Sequence, residues 1–302
     1  MADITCPLQA ASIRIPEAAA ILSSHREYRY KDYDACIAAT AQRLSKAGIA
    51  EGDLVAIALP QGVDYPILLM ALFRLGAVAC PLNLKFPSQY MLDILKKIAC
   101  RSMVVPYGTS STTTLGGIQT FSPRDLVDDD DDTPGDSTDF EADRPAAIIL
   151  TSGSTADPKA ALLSYGNLHV NAERANTNIP LVPGDCWLLS LPLYHVAGLS
   201  ILFRAMLSGA AVAIPGHNES TVETILKYGV THISLVPTQL YRMIRDDESL
   251  IALKKLKAIL VGGSAIPETL VKQAHRAGLP LYTTYGLTEM ASQVTTTRPA
   301  EE

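Results

Sequence analysis

Short apolar segments alternate along most of the chain with longer segments whose apolar positions recur every three or four residues. The short segments are rich in β-branched residues and predict strands, whereas the longer segments predict amphipathic helices. The predicted strands are 54–59, 77–80, 103–105, 146–150, 187–190, 210–214, 232–236, 258–261 and 281–283. The predicted helices include 33–47, 64–75, 87–98, 222–228, 238–245 and 267–277. This alternation predicts an α/β fold of parallel sheets covered by helices on both faces.

One segment, 109–144, breaks the alternation. It is rich in Ser, Thr, Gly and Asp and contains five consecutive aspartates at 128–132. A metal site is one interpretation of the carboxylates, but like charges in a row repel one another and favour hydration. We therefore interpret 109–144 as a solvated linker between two halves of the chain.

Composition narrows the class of protein. The chain has 302 residues, of which 48% are hydrophobic, and a net charge of −6, which fits a globular enzyme and gives no support to nucleic-acid or anionic-membrane binding. The five cysteines show no C-x-x-C spacing, so we expect reduced thiols in a cytoplasm and no disulfide framework or zinc site. Residues 1–10 lack the basic region of a signal peptide, and polar residues interrupt the apolar zone 187–214, so no membrane span is predicted.

The most informative segment directly follows the predicted strand 146–150. Such a position is where parallel sheets bind ligands. The segment offers backbone N–H groups, hydroxyls and a mobile cation, which together suit a polyphosphate. Pro158 stands before the lysine, which excludes a Walker A loop, and an ordinary solvated turn is the alternative. The candidate residues are Thr151, Ser152, Gly153, Ser154, Thr155 and Lys159.

A second segment, 283–290, combines a predicted strand end near Thr283 with a predicted tight turn at Gly286. Thr288 can bond a phosphate oxygen, and Glu289 can hold a magnesium ion. A threonine followed by a glutamate is also a common helix start, which is the alternative. The candidate residues are Thr284, Tyr285, Gly286, Thr288 and Glu289.

Two further segments follow predicted strands. Gly262, Gly263, Ser264 and Ala265 would let the backbone approach a flat ligand closely, although an ordinary strand-to-helix turn explains them equally well. His195 lies among apolar residues, where a histidine in the core is the alternative to one that contacts a ligand.

In their order and spacing, these segments resemble the motifs of the acyl-adenylate-forming enzymes, with Ala156 and Ala160 where that family usually has glycine. Segments 52–57 and 75–83 resemble earlier landmarks of the family. The resemblance implies that Ser152, Ser154, Thr155 and Lys159 hold the β- and γ-phosphates of ATP. It also implies that Tyr285 lies against adenine, Thr288 on the α-phosphate and Glu289 on Mg²⁺. The loop 262–265 would line the adenine and acyl pockets, and His195 would position the substrate without carrying a proton.

Within that family the chain is most similar to 2-succinylbenzoate–CoA ligases of menaquinone and phylloquinone synthesis, through segments 159–167, 195–204 and 285–294. Their substrate has an aromatic ring and two carboxylates, so Arg204 is a candidate cation for it. A helix-surface or interdomain arginine is the other interpretation. Ser292 and Gln293 are candidate hydrogen-bonding groups for the substrate.

The resemblance implies that 1–302 is an incomplete large N-terminal domain with two helix-flanked, mostly parallel sheets, without its barrel portion and its C-terminal lid. The expected activity joins a carboxylic acid to ATP and then to coenzyme A, with small molecules as partners. This chain alone is expected to be nearly inactive. A fatty-acid or aryl-acid ligase and a non-catalytic or split nucleotide-binding module remain alternatives, and a homodimer is left open.

Overall fold

A computed structural model describes residues 3–106, 114–127, 139–151 and 159–297. The chain divides into two compact units. Unit 1 comprises Met1–Pro16, Tyr30–Leu168 and Leu193–His195, and unit 2 comprises Glu17–Arg29, His169–Pro192 and Val196–Glu302. Each unit contains its own large sheet, so the units are described separately.

The strands of the described residues are, in chain order, β1 (Asp3–Thr5), β2 (Ala19–Ser23), β3 (Glu27–Arg29), β4 (Leu54–Ile57), β5 (Val78–Pro81), β6 (Ser102–Val104), β7 (Thr114–Leu115), β8 (Ile118–Phe121), β9 (Asp139–Glu141), β10 (Pro145–Thr151), β11 (Lys159–Ser164), β12 (Cys186–Leu188), β13 (Ala211–Ile214), β14 (His232–Leu235), β15 (Ala258–Val261), β16 (Leu281–Leu287) and β17 (Ser292–Thr296).

The helices of the described residues are α1 (Pro7–Arg14), α2 (Tyr30–Lys46), α3 (Asp64–Leu75), α4 (Ser88–Lys97), α5 (Pro123–Leu126), α6 (Tyr165–Asn178), α7 (Val196–Ser208), α8 (Thr221–Tyr228), α9 (Pro237–Ile244), α10 (Asp247–Leu253) and α11 (Glu268–Arg276). One turn of 3₁₀-helix, Thr288–Met290, lies between β16 and β17. No helix in these described segments is long and apolar enough to cross a membrane.

Unit 1 is built on a seven-stranded sheet with the strand order β11-β10-β5-β4-β6-β8-β7. Its inner pairs are parallel, and its two edge pairs are antiparallel. The central strand β4 is entirely apolar and almost fully buried, as expected for a strand covered on both faces. A short antiparallel pair, β1 with β9, completes the strands of the unit.

A buried ion pair joins two helices of unit 1. Arg74 on α3 bonds the Asp34 carboxylate on α2, and a second guanidinium nitrogen donates to the Asp34 carbonyl at 3.1 Å. Gly76 caps the C-terminus of helix α3; its φ of +82° is left-handed, and its N–H donates to the carbonyl of Leu72. The reversal returns the chain to strand β5, so that the apolar face of α3 is buried.

Unit 2 is built on an eight-stranded sheet with the order β17-β16-β15-β14-β12-β13-β2-β3. The pairs from β16 to β2 are parallel, and the edge pairs β16–β17 and β2–β3 are antiparallel. Strands β12 to β15 are buried along their whole length. Strands β12, β13 and β15 are accordingly continuous apolar runs, whereas β14 also buries His232 and Ser234. Because these strands are parallel, their carboxyl ends all lie on the same side of the sheet. Strand β16 pairs in parallel with β15 and has its neighbouring segment on that side too.

The structure confirms the nine strands and six helices that the sequence predicts, with end shifts of a few residues, and it confirms the parallel-rich, helix-flanked sheets. The antiparallel edge strands were not predicted. The linker prediction is wrong for the described parts of 109–144, because they form β7, β8, α5 and β9 and belong to unit 1. The aspartates 128–132 lie outside the described residues.

Candidate functional site

The base of the candidate phosphate loop lies at the carboxyl end of β10 in unit 1. Strand β10 runs parallel to β5 and pairs with β11 as an antiparallel hairpin, in which Thr151 faces Lys159. The Thr151 hydroxyl donates to the Lys159 carbonyl at 3.4 Å, and Lys159 is exposed. Ser152, Gly153, Ser154 and Thr155 lie outside the described residues. The paired ends of β10 and β11 therefore form the base of the hairpin, and the Lys159 cation lies at the start of β11.

His195 also belongs to unit 1 and is exposed, which disfavours the interpretation of a core histidine. Its ring packs edge-on against Tyr194, with 4.6 Å between the ring centroids. Partial desolvation lowers the pKa of His195, so the imidazole is neutral at pH 7. A neutral ring can donate or accept a hydrogen bond but carries no charge, in keeping with a positioning role.

The Tyr65 hydroxyl lies close to the carboxyl end of strand β4 in unit 1. Burial raises the pKa of the Tyr65 hydroxyl, and the charges of Cys80 and Tyr194 add to the effect. The same hydroxyl donates to the carbonyl of Ile57 at 3.5 Å. Ile57 ends β4, so the Tyr65 hydroxyl lies at the carboxyl end of a parallel strand, where such sheets bind ligands.

In unit 2 the structure brings together two of the predicted segments. Gly262 follows β15 and lies against Thr284 of the neighbouring strand β16, where a Cβ on Gly262 would come within 2.6 Å of the Thr284 methyl carbon and 3.0 Å of its carbonyl oxygen. Gly263 takes a left-handed φ of +83°, which glycine tolerates best. The two glycines are therefore required by close packing and by backbone conformation. Ser264 and Ala265, which follow them, are exposed at the same edge.

The segment after Thr284 differs from the prediction in one respect. Strand β16 continues to Leu287, so the predicted tight turn at Gly286 is wrong, and the turn lies at Thr288–Met290. Gly286 instead marks a bulge in the β16–β17 pairing, where a Cβ would overlap the Ser292 carbonyl oxygen. The glycine is needed for close approach of the two strands.

The turn presents the chemical groups of the second predicted segment. Tyr285 is 66% exposed and Glu289 is exposed, while Thr288 is half-buried. The turn closes with a hydrogen bond from the Ala291 N–H to the Thr288 carbonyl at 2.9 Å. An exposed carboxylate beside a hydroxyl suits a magnesium ion that takes its other ligands from phosphates and water. Within the described part of the chain no cluster of three His, Cys, Asp or Glu side chains forms a metal site by itself.

Comparison with known proteins gives the family. A sequence profile described as "AMP-binding enzyme" matches residues 8–302. The chain belongs to this AMP-binding family. The match includes every candidate residue named above, in both units.

Several relatives within the AMP-binding family carry a specific name. A 2-succinylbenzoate–CoA ligase of Escherichia coli (strain K12) is 31% identical over 278 residues, which cover 92% of this chain and 58% of that protein. The structure of o-succinylbenzoate CoA synthetase from Bacillus subtilis in complex with the acyl-adenylate intermediate OSB-AMP has a TM-score of 0.87 and 25% identity. It covers 99% of this chain and 62% of that one. The same Bacillus enzyme in complex with ATP and magnesium ion gives a TM-score of 0.85 at 25% identity, covering 99% of this chain and 63% of that one. This chain therefore spans less than two thirds of the length of each of these relatives.

Arg204, a candidate for the substrate's second carboxylate, is buried in this AMP-binding chain, with 1% of its surface exposed. Its guanidinium donates to the Asn176 side chain at 2.9 Å and to the Ile179 carbonyl at 3.2 Å, and it stacks over Trp187 at 4.1 Å. Burial lowers its pKa to about 9. The interpretation as a helix-surface arginine is therefore wrong, and the contacts shown tie α7 to the C-terminal end of α6.

The other two candidate substrate residues flank the turn. Ser292 is buried and has a φ of +139°, and Gln293 is half-buried. Sequence analysis missed the residue that contacts both sides of this turn, Asn171 of α6. Asparagine is a poor helix former, and Asn171 and Asn178 lie two helical turns apart on one face. That repeat is the signal that the sequence offered.

Proposed function

We propose that this protein contributes to the ATP-dependent activation of a carboxylic acid and its transfer to coenzyme A, with 2-succinylbenzoate as the acid. The observation that carries the proposal is the packed arrangement in unit 2 of Gly262 against Thr284, beside a turn that exposes Glu289. The family profile and the names of the relatives support it. A glycine backbone would let a flat adenine approach closely, and the exposed carboxylate would suit a magnesium ion at the phosphates.

The proposed roles follow the family residue by residue. Lys159, with Ser152, Ser154 and Thr155, would neutralise and bond the β- and γ-phosphates. Thr288 would bond the α-phosphate and Glu289 would hold Mg²⁺, which supplies positive charge at the phosphates when bound. Support for ATP and magnesium comes from the Bacillus relative that was solved with both.

Further roles concern the adenine and the acid. Tyr285 would cover adenine, and Thr284, Gly286 and the loop from Gly262 to Ala265 would shape the pocket. His195 would position the acid, consistent with an imidazole whose lowered pKa keeps it neutral at pH 7. Its neutrality avoids an ion pair that would stabilise the free carboxylate and weaken its nucleophilicity.

The chemistry proposed needs positioning and charge neutralisation more than proton transfer. The carboxylate oxygen attacks the α-phosphorus, and pyrophosphate leaves with the electrons of the broken P–O bond. The thiol sulfur of coenzyme A then attacks the acyl carbon, AMP leaves, and the thiol proton passes to solvent. A carboxylate is already a nucleophile, so hydrogen-bond donors and cations at the phosphates are the groups that catalysis requires.

We place this reaction in the cytoplasm. All five cysteines, Cys6, Cys36, Cys80, Cys100 and Cys186, are buried, and no disulfide joins any two of them. Thiols that stay reduced suit a reducing compartment.

Calorimetric binding of non-hydrolysable acyl-adenylate mimics tests the proposal. Mimics with 2-succinylbenzoyl, benzoyl and long-chain acyl groups are compared on the wild type, on Thr288→Ala and His195→Ala, and on the exposed control His275→Ala. We expect the 2-succinylbenzoyl mimic to bind best, and both site variants to weaken it by about tenfold or more, the loss of one hydrogen bond to a charged or buried group. Equal binding of another acyl group would contradict the substrate, and failure of every mimic to bind would contradict the activity.

A further inference from the structure

The turn that carries Thr288 and Glu289 is held by one side chain of a different element. The side-chain amide of Asn171 on α6 donates to the carbonyl of Met290 at 2.9 Å and to the carbonyl of Gln293 at 2.8 Å. Both hydrogens of the amide are thus used, one on each side of Ala291 and Ser292. The Asn171 amide bridges the two ends of the chain reversal after Glu289.

The two residues inside this bridge have unfavourable backbone conformations. Ala291 has a φ of +58° and Ser292 a φ of +139°, both in the region that residues with a side chain rarely adopt. Such conformations cost free energy and persist only where surrounding contacts hold them. The Asn171 amide donates to the carbonyls on both sides of this strained pair, so its bonds oppose relaxation of the turn.

The position of Asn171 follows from the packing of α6 along β17. Asn178, two helical turns later, donates to the carbonyl of Thr296 at 3.3 Å. Seven helical residues rise about 10 Å, and three strand residues from 293 to 296 span about 10 Å, so the two spacings agree. The helix therefore follows the strand, and its first asparagine reaches the turn while the second reaches the strand farther on.

A contact that only fills space between α6 and the turn would not need the two N–H donors of the Asn171 side chain. Its Oδ1 atom is buried and has no hydrogen-bond partner in the described residues, so its described polar contacts are the two donated bonds. An apolar side chain could fill the same space without leaving a buried acceptor unpaired. The unpaired acceptor costs free energy, so we infer that the two donated hydrogen bonds compensate for it.

We propose that Asn171 is a positioning residue that holds the Thr288–Ala291 turn in the conformation in which Thr288 and Glu289 bind the phosphate and its metal ion. The inference rests on the proposed function for the roles of Thr288 and Glu289, whereas the hold on the turn rests on contacts alone. Asn171 touches neither nucleotide nor metal in this assignment and acts through the two carbonyls.

The test compares Asn171→Ala and Asn171→Asp with wild type and with the matched control Asn178→Ala. Asn171→Asp keeps the shape of the side chain but offers no N–H, so it separates the lost bonds from a lost volume. Asn178→Ala removes the same kind of helix-to-strand bond on the same helix, away from the turn. The urea midpoint of Trp187 fluorescence shows that each variant is folded.

Two measurements are made on each protein. Hydrogen exchange of the backbone amides of 288–291 reports the turn without any ligand, and calorimetry of ATP binding over a range of Mg²⁺ concentrations reports the metal site. In both Asn171 variants we expect turn exchange to accelerate and the Mg²⁺ concentration for half-maximal ATP binding to rise, each by about tenfold, as for two lost hydrogen bonds. Asn178→Ala should change neither.

The possible outcomes distinguish the positioning role of Asn171 from the proposed function. Unchanged turn exchange in both Asn171 variants would overturn the inference, as would faster exchange with a wild-type Mg²⁺ requirement. An effect of equal size in Asn178→Ala would also overturn it, because the role would then be general helix packing. Failure of the wild type to show Mg²⁺-dependent ATP binding would instead overturn the proposed function, and the inference with it.

Discussion

The buried histidine of unit 2 gives the most quantitative prediction. His232 lies in β14 with 1% of its surface exposed and stacks on Trp187 with 5.1 Å between ring centroids. Its Nε2 lies 3.1 Å from the Pro180 carbonyl, which can only accept, so Nε2 carries the proton. Its Nδ1 faces the Thr231 hydroxyl at 2.7 Å. The neutral ring is thus fully hydrogen-bonded.

Protonation of this ring is unfavourable in the folded state. The pKa of His232 is lowered from its ordinary value of 6.5 to about 4, chiefly by burial. Asp185 and the hydrogen bond with Pro180 oppose this lowering, and the charges of Arg204 and Lys257 contribute to it. A drop of that size corresponds to about 3 kcal/mol at 1.36 kcal/mol per pH unit. The unfolded chain binds the proton near pH 6.5, so the free energy of unfolding falls as the pH falls below that value and levels off below about pH 4.

Most of this loss of unfolding free energy occurs between pH 7 and pH 5, where it can be measured. The difference in proton binding over this range gives about 2 kcal/mol from His232 alone. Trp187 is the only tryptophan of the chain and lies against His232, so its fluorescence during urea unfolding reports this unit. Other groups, such as Asp185 with its lowered pKa, also lose stability on acidification, so the test is the difference between variants.

His232→Gln keeps a donor and an acceptor but does not titrate. We expect its loss of unfolding free energy between pH 7 and pH 5 to be smaller than that of wild type by about 2 kcal/mol. His275→Gln, the same exchange at an exposed position of α11, should follow the wild-type profile. Parallel pH profiles for wild type and His232→Gln would refute the reasoning.

Two other predictions concern packing. Gly286→Ala places a Cβ on the Ser292 carbonyl oxygen and should lower the unfolding free energy by about 1–3 kcal/mol. In the control Gly62→Ala the added Cβ meets nothing within 4 Å, so the unfolding free energy should hardly change. Equal urea midpoints for the two variants would contradict this account. In unit 1, Asp34→Ala or Arg74→Met alone leaves a buried charge unpaired and should cost about 3–5 kcal/mol by urea unfolding followed by circular dichroism. The double variant should cost clearly less than the sum, and strict additivity would count against the ion pair.

The sequence by itself determined the parallel core and the candidate ligand loops. Run 258–261 is a fully buried strand and run 146–150 a largely buried one, and their apolar composition is a local property that does not depend on their neighbours. Glycines and hydroxyls directly after such strands point to the ligand edge of a parallel sheet. The order of residues along the chain was therefore enough to locate the segments around Thr151, Gly262 and Thr288.

Only the tertiary structure decided features that depend on distant residues. The turn lies at Thr288 instead of Gly286 because β17 returns alongside β16 and lets the strand continue. Arg204 is buried because the end of α6 and Trp187 together provide bonds and a ring face for its guanidinium. Asn171 reaches the turn across 119 residues of sequence. The local pattern of apolar residues predicts which residues are buried. The hydrogen-bond partner of a polar side chain, by contrast, depends on which distant segments the folded chain brings next to it.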